Sequence, residues 1–216
     1  SVGSLAALAG GLGILAMNSA QSTALGIALA LSVSLAAGCA GGIINGLLIT
    51  RGGVAPFIAT LGTMAIYRSL ALYMAGAGEF RASHDAYSEL GSGRFLALPL
   101  PVWVFLLLTL VFALLLGRTP FGRHVCAVGA NRRGAEDSAI RVRRITFLTY
   151  LIAGFTVGVS ALLLGARLSS ISSSNAGSGY ELDAIAAAII GGTSLSGGRG
   201  TVIGTLAGAI ILGVVN

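Results

Sequence analysis

The sequence predicts an all-α protein, a polytopic transmembrane helical bundle with broken or half helices. Three observations predict it. Of 216 residues, 55% are hydrophobic and 9% charged, where a soluble domain carries roughly a quarter charged. The first charge is Arg51, so fifty uncharged residues precede it, whereas one bilayer crossing takes about 20. Glycine supplies 33 residues, the small-residue excess that lets membrane helices pack backbone to backbone. The same numbers exclude disorder, which needs low hydrophobicity, and collagen, which needs a strict glycine period.

Spans lie where uncharged stretches long enough to cross are bounded by charge or turn residues. Residues 22–49 run apolar up to Arg51, and 54–77 are broken only by Arg68. Residues 97–117 end at Arg118, and 145–166 lie between Arg144 and Arg167. Two shorter apolar pieces, 3–17 and 201–216, read as spans cut or broken by glycine. Residues 184–195 are too short to cross and read as a half-helix or re-entrant segment. The elements Ser1-Val2-Gly3-Ser4-Leu5 and Ser194-Leu195-Ser196-Gly197-Gly198 each lead into a small-residue helix. That weak internal echo fits transporters built from two related halves with discontinuous helices.

Charge sets the orientation. The net charge is +6, from thirteen arginines with no lysine against seven acids. Seven arginines fall in the 118–144 segment, which the positive-inside rule places in the cytoplasm. Counting outwards, the 79–94 segment and the serine-rich stretch Ser169–Ser178 are external, while Arg51 and Arg199 mark returns to the inside. A basic stripe between two apolar spans is explained by topology, so no nucleic acid is expected. Cys39 and Cys126 show no CxxC spacing and share no compartment, and His84 and His124 lie on opposite sides. Neither a disulfide nor a metal site is expected.

Glycines recur every four residues at Gly38, Gly42 and Gly46, at Gly154 and Gly158, and at Gly200, Gly204 and Gly208. Each set lines one helix face and predicts close packing. In the cytoplasmic loop, Asn131 is placed to cap a short amphipathic helix from Arg132 to Ala139, with Ala135 and Ala139 on its apolar face.

Four stretches together resemble the ribose-type permeases of bacterial ABC sugar importers, in family order over the whole chain. They are Ser1-Val2-Gly3-Ser4; Asn45-Gly46 through Pro56-Phe57-Ile58-Ala59-Thr60-Leu61-Gly62-Thr63 to Arg68; Phe121-Gly122-Arg123 with Ala127-x-Gly129-x-Asn131 and Ala135-x-x-Ser138-x-Ile140-x-Val142; and Ala176 through Gly198. The resemblance implies that Gly129, Asn131, Ala135, Ser138 and Ile140 belong to a coupling loop docking on a cytosolic ABC ATPase subunit, which would hold the ATP and Mg. It implies a second permease copy, making a homodimer, an extracytoplasmic sugar-binding protein, and residence in the bacterial inner membrane. No cofactor is expected in this chain. The resemblance also implies that helices before Ser1 and after Asn216 belong to a longer protein. Two departures stand out, Cys126 where an aromatic is usual and Ala139 where a glycine is usual.

The candidate translocation path is drawn through Asn45, Thr60, Thr63, Arg68, Tyr180, Glu181 and Asp183. Uncharged polar residues in or near the spans, Asn18, Gln21, Asn45, Thr60, Thr63, Ser160 and Asn175, suit a neutral polyhydroxy solute better than an ion. Interhelical hydrogen bonding is the other reading of each. Arg68, mid-span, must snorkel, pair or line a wet cavity, with Glu79, Glu181 or Asp183 as partners. Glu181 and Asp183 read as first-turn acids, Asp183 capping a helix from Ala184, or as sugar contacts. No phosphate loop of the GxxxxGK[ST] type exists, so Leu195-Ser196-Gly197-Gly198-Arg199 is not an ATPase signature. A branched-chain amino-acid ABC permease and an ion-coupled secondary transporter are the alternatives within transport. An intramembrane enzyme would need a nucleophile and base within reach, and no such pair stands out.

Overall fold

The structure, a computed structural model, describes every residue except Gln21, His84, Ala97 and Asn216, and leaves aside the side chains of Asp85, Ala86 and Phe95. The expectations for Gln21 and His84 therefore lie outside the described residues. In chain order the elements are α1 (Val2–Asn18), α2 (Thr23–Thr50), α3 (Pro56–Met74), β1 (Glu79–Arg81), α4 (Asp85–Ser92), β2 (Arg94–Phe95), β3 (Leu98–Pro99), α5 (Leu100–Arg118), α6 (Pro120–Ala130), α7 (Arg132–Asp137), α8 (Val142–Leu168), β4 (Ser170–Ser172), α9 (Tyr180–Ile190) and α10 (Val202–Val215). Among the described residues, α2, α3, α5 and α8 are long and apolar enough to cross a membrane. All four coincide with the expected spans to within a few residues. The three shorter helices α1, α9 and α10 are where broken or half helices were expected.

Two compact units divide the chain, 1–102 with 147–178 and 103–146 with 179–216. In the first, α1 is the centre, with twelve of its 17 residues buried. Leu5, Ala6 and Ala9 pack with Tyr67 and Ala71 of α3 and with Val157 and Ala161 of α8. Ala7, Ile14 and Met17 pack with Ala30 of α2, Leu162 and Ala166 of α8, and Phe80, Tyr87 and Ile171. Lipid tails are as apolar as leucine, so close fit rather than apolar burial holds such helices together.

The glycine stripes supply that fit. Gly38 and Gly42 of α2 lie against Gly154 and Gly158 of α8, so two of the expected stripes are each other's partner. A Cβ built on Gly38 would fall 2.5 Å from the Gly154 carbonyl oxygen, and one on Gly158 2.7 Å from that of Ser34. No side chain larger than hydrogen fits between these backbones.

The sequence did not foretell that β1 pairs with β4, antiparallel, with Phe80 opposite Ile171. Each strand is one apolar residue between two polar ones, and both apolar side chains are buried. They fill the bare flank of α1 left by Gly10 and Gly11. The pairing brings the 79–94 and 169–178 segments together, in keeping with their assignment to one side of the membrane. Beside them Tyr87 of α4 is fully buried and donates from Oη to the Leu162 carbonyl at 3.1 Å. Burial pushes its phenol up to about 12.

In the second unit, α9 packs on α10 through Gly191, Gly204 and Gly208, so the third stripe is also close-packed. A Cβ on Gly204 or Gly208 would overlap the carbonyl of Gly191 or Ala187. α6 opens on Thr119, whose Oγ1 accepts from the Gly122 N–H at 3.3 Å and donates to the Leu115 carbonyl at 2.5 Å. α5 buries none of its residues within the chain, leaving an apolar surface that lipid or another chain must cover.

Candidate functional site

In the first unit a polar constellation gathers at the amino end of α1. Asn45 of α2 is 4% exposed. Its Oδ1 accepts from Thr63 Oγ1 of α3 at 2.7 Å, and its Nδ2 donates to Ser1 Oγ at 3.3 Å. A buried amide needs such partners, and here α3 and the N-cap of α1 supply them. Thr60, one turn earlier on α3, donates to its own helix carbonyls at Pro56 and Phe57. Of the uncharged path residues in this unit, Asn45 and Thr63 thus join helices, while Thr60 caps a local backbone group. Asn18 is likewise engaged, donating to the Arg81 carbonyl at 2.8 Å and accepting from Ser83 Oγ at 2.7 Å.

Arg68 is half-buried, and its Nη1 donates to the carbonyls of Ser173 and Ala176, both at 3.0 Å. Within this unit its partners are backbone oxygens rather than the Glu79 carboxylate. Glu79, one of the acids expected to face it, lies 3.8 Å from Arg81 instead. The serine-rich segment thus turns inward to meet the guanidinium, and carbonyl oxygens satisfy the cation where an apolar environment would otherwise raise its cost. At the far end of that segment Gly177, at φ +72, meets the backbone of Gly3, and neither residue has room for a Cβ. Two motifs read separately in the sequence, Ser1–Ser4 and Ala176–Gly177, are therefore in contact.

The second unit holds the remaining site residues. α9 begins at Tyr180 after Gly179, which has φ +83. This corrects the expectation that Asp183 caps a helix from Ala184, because the left-handed glycine lets the helix start four residues earlier. Glu181 and Asp183 do fall in its first turn, where the helix dipole favours acids. Tyr180 and Asp183 are exposed, and Glu181 is half-buried.

The loop expected to couple is built as read from Asn131, whose Oδ1 accepts from the Gly134 N–H at 3.1 Å and caps α7. Ser138 Oγ donates to the Gly134 carbonyl at 2.8 Å, and the Ile140 N–H donates to the Ala135 carbonyl at 3.0 Å. Ala135 is 4% exposed, covered within the chain. These residues shape the loop, while Arg132, Arg133, Glu136 and Asp137 present its surface. α7 ends at Asp137, two residues short of the expected Ala139, because Ala139 turns to φ +59. That left-handed backbone is what a glycine would adopt freely.

Gly129 meets a second motif. Gly197 and Gly198, at φ +84 and +79, lie on Gly129 and Ala130, and a Cβ on Gly129 would fall 2.7 Å from the Gly198 nitrogen. Spacing alone could not pair the Gly197-Gly198 turn with the loop after α5, since backbone contacts carry no side-chain signature. A cavity of about 290 Å³ opens beside this contact, lined by Leu116, Cys126, Gly129, Thr193, Gly198 and Arg199 among others. Cys126 borders it. Among the described residues no three His, Cys, Asp or Glu side chains gather in a way that could hold a metal.

The family described as branched-chain amino acid transport system / permease component matches residues 1–216. The ribose import permease protein of Bacillus subtilis strain 168 is 43% identical over 174 residues, 80% of this chain and 54% of that protein. The ribose import permease protein of Escherichia coli K12 is 38% identical over 177 residues, 80% of this chain and 55% of that protein. The L-arabinose ABC transporter permease protein of Azospirillum brasilense is 34% identical over 215 residues, 100% of this chain and 62% of that protein. The chain spans about half the length of the curated relatives it matches. No solved structure matches it. With every residue covered by the family and four membrane-length helices in the fold, this multi-pass membrane protein belongs to the branched-chain amino acid transport system / permease component family.

Proposed function

We propose that the chain is the membrane core of a permease subunit in an ATP-driven importer that translocates a monosaccharide, a ribose-like pentose or a hexose, across a bacterial inner membrane. The observation that carries this reading is the alignment of 80% of the chain with ribose import permeases. Chemistry supports it. Arg68 is the one charge away from the ends of the four long apolar helices, and neutral hydroxyl and amide groups do the remaining polar work, as an uncharged solute favours.

In this reading the subunit works with a second copy, a cytosolic ABC ATPase that binds ATP and Mg, and an extracytoplasmic sugar-binding protein. It carries no hydrolytic chemistry of its own. ATP binding biases a bistable bundle through the 118–144 loop, and hydrolysis resets it. The test is uptake by the full-length subunit, co-expressed with its ATPase and binding protein in cells lacking sugar importers. Labelled ribose or arabinose should accumulate, and ATP depletion should stop it while a protonophore with ATP held constant should not. Uptake of leucine in place of sugar would favour the amino-acid reading, and collapse under the protonophore alone would favour an ion-coupled carrier. Topology is checked alongside. An impermeant thiol reagent should label Ser88→Cys in intact cells and Asp137→Cys only after permeabilisation, and the reverse pattern would remove the coupling assignment.

A further inference from the structure

We propose that Arg68 is a positioning residue for transport, a charged latch that holds the 173–177 segment on the first turn of α1 and thereby fixes α3. Only the transport consequence rests on the importer reading.

The starting point is that α3 is held on α1 and α2 by one narrow face. Its buried residues are Ala59, Thr63, Tyr67 and Ala71, a stripe one residue wide at four-residue spacing. Phe57, Ile58, Leu61, Ile66, Leu70 and Tyr73 all face outward. Left-handed backbone flanks the helix on both sides, at Gly53 with φ +66 and at Gly76 and Ala77 with φ +57 and +61. α3 is thus a separately hinged rod on a narrow contact. Among the described residues, three of its side chains make long-range hydrogen bonds. Thr63 reaches Asn45 and Tyr67 Oη donates to the Gly41 carbonyl at 3.2 Å, both on α2. Arg68 alone reaches across more than a hundred residues to the segment after β4.

That segment is pinned at three points. Ser173 donates from Oγ and from its N–H to the Gly78 carbonyl, at 2.7 and 3.3 Å. Gly177 is wedged backbone to backbone on Gly3. Between them the Ser173 and Ala176 carbonyls share one guanidinium nitrogen, which ties α3 to a turn that its own Ala176 N–H to Ser172 carbonyl bond already closes. Hydrogen bonds from a cation are about twice as strong as neutral ones. An arginine in apolar surroundings without acceptors is costly, so the latched state is favoured over one in which the rod and the turn part. Arg68 thereby acts on a solute through the turn and the rod rather than by touching it.

The experiment uses the full-length permease with its ATPase and binding protein in proteoliposomes, in a cysteine-free background carrying Ala176→Cys. N-ethylmaleimide reports opening of the turn, and sugar uptake reports its consequence. Arg68→Gln should raise the labelling rate about tenfold or more, from the loss of two charge-assisted bonds. Arg68→Lys keeps the charge without the planar fork, so its rise should be intermediate. Maximal uptake should fall in the same order, with the half-saturating sugar concentration unchanged. Labelling at the wild-type rate in Arg68→Gln, with a raised half-saturation concentration, would overturn the latch and make Arg68 a solute contact. If Arg68→Gln fails to insert, Arg68→Lys decides alone, and labelling at the wild-type rate there overturns the proposal. Labelling needs no sugar, so a wild-type protein that takes up no sugar would sink the importer reading and leave the latch to be judged on labelling.

Discussion

Replacing Gly42 with alanine adds one methyl group where α2 crosses α8. The new carbon would sit 2.5 Å from the Tyr150 carbonyl oxygen and 3.1 Å from the Gly154 Cα, where ordinary contact begins at 3.4 Å. Both neighbours are backbone, so no rotamer change relieves the overlap, and the helices must separate by about 1 Å. A gap of that size forfeits a quarter to a half of each dispersion contact along the seam. Overpacking of this kind costs about 1–3 kcal/mol, which for a chain of this size lowers the melting temperature by roughly 2–12 °C. Gly62→Ala on α3 is the internal control, because nothing lies within 4 Å of a Cβ there. That substitution should leave the protein unchanged or slightly more stable, since alanine is the better helix former by about 1 kcal/mol. The assay is loss of the monodisperse peak on size-exclusion chromatography after heating the detergent-solubilised full-length protein. Equal melting temperatures for Gly42→Ala and wild type, with Gly62→Ala behaving as expected, would refute the backbone-on-backbone crossing.

Filling the cavity beside Cys126 with Cys126→Phe should raise the melting temperature, equivalent to about 0.5–2 kcal/mol, the usual yield of such changes, and a lowered value would mean that the space is not available to a ring. Ala139→Gly should also stabilise, by roughly 1 kcal/mol, because glycine holds the φ +59 backbone without strain; the same melting assay checks it, and destabilisation would place that residue in another conformation. Tyr87 should ionise near 12 rather than near the ordinary value of 10. The unfolded chain loses its phenolic proton first, so stability is unaffected below pH 10 and falls as pH rises from 10 towards 12. Comparing the alkaline absorbance titration of wild type with that of Tyr87→Phe isolates this group, and a midpoint near 10 would mean that its pocket is wet.

The spans were legible because charges and turn residues stand at their ends. Arg51 closes α2, Arg118 closes α5, and Arg144 and Arg167 bracket most of α8. The four-residue glycine spacing likewise announced close packing. Which stripe met which was not legible, since a face that accepts any backbone names none. The centrality of α1 was hidden for a related reason: at 17 residues it looks like a fragment of a span until its neighbours are in place. The sequence marks Arg68 as a charge in need of a partner, but its partners are main-chain carbonyls, which every residue carries and no letter of the sequence marks. Asp183 is not the cap of its helix, because the backbone angle of Gly179 decides where the helix begins. Among the loop residues, Asn131 is legible as the cap it forms, whereas the burial of Ala135 depends on surroundings that spacing does not encode.

The glycine seam between α2 and α8 has a mechanical side as well. An ordinary helix interface absorbs small displacements by reorienting its side chains, a compliance with its own entropy. Residues without side chains have no such freedom to lose on packing and none with which to cushion movement. Where Gly38 and Gly42 meet Gly154 and Gly158, a push on one helix therefore has no soft layer to cross before it reaches the other. The seam can slide or it can stay, but it cannot yield by degrees, and that makes it a stiff member through which displacement of one helix passes to the next undamped.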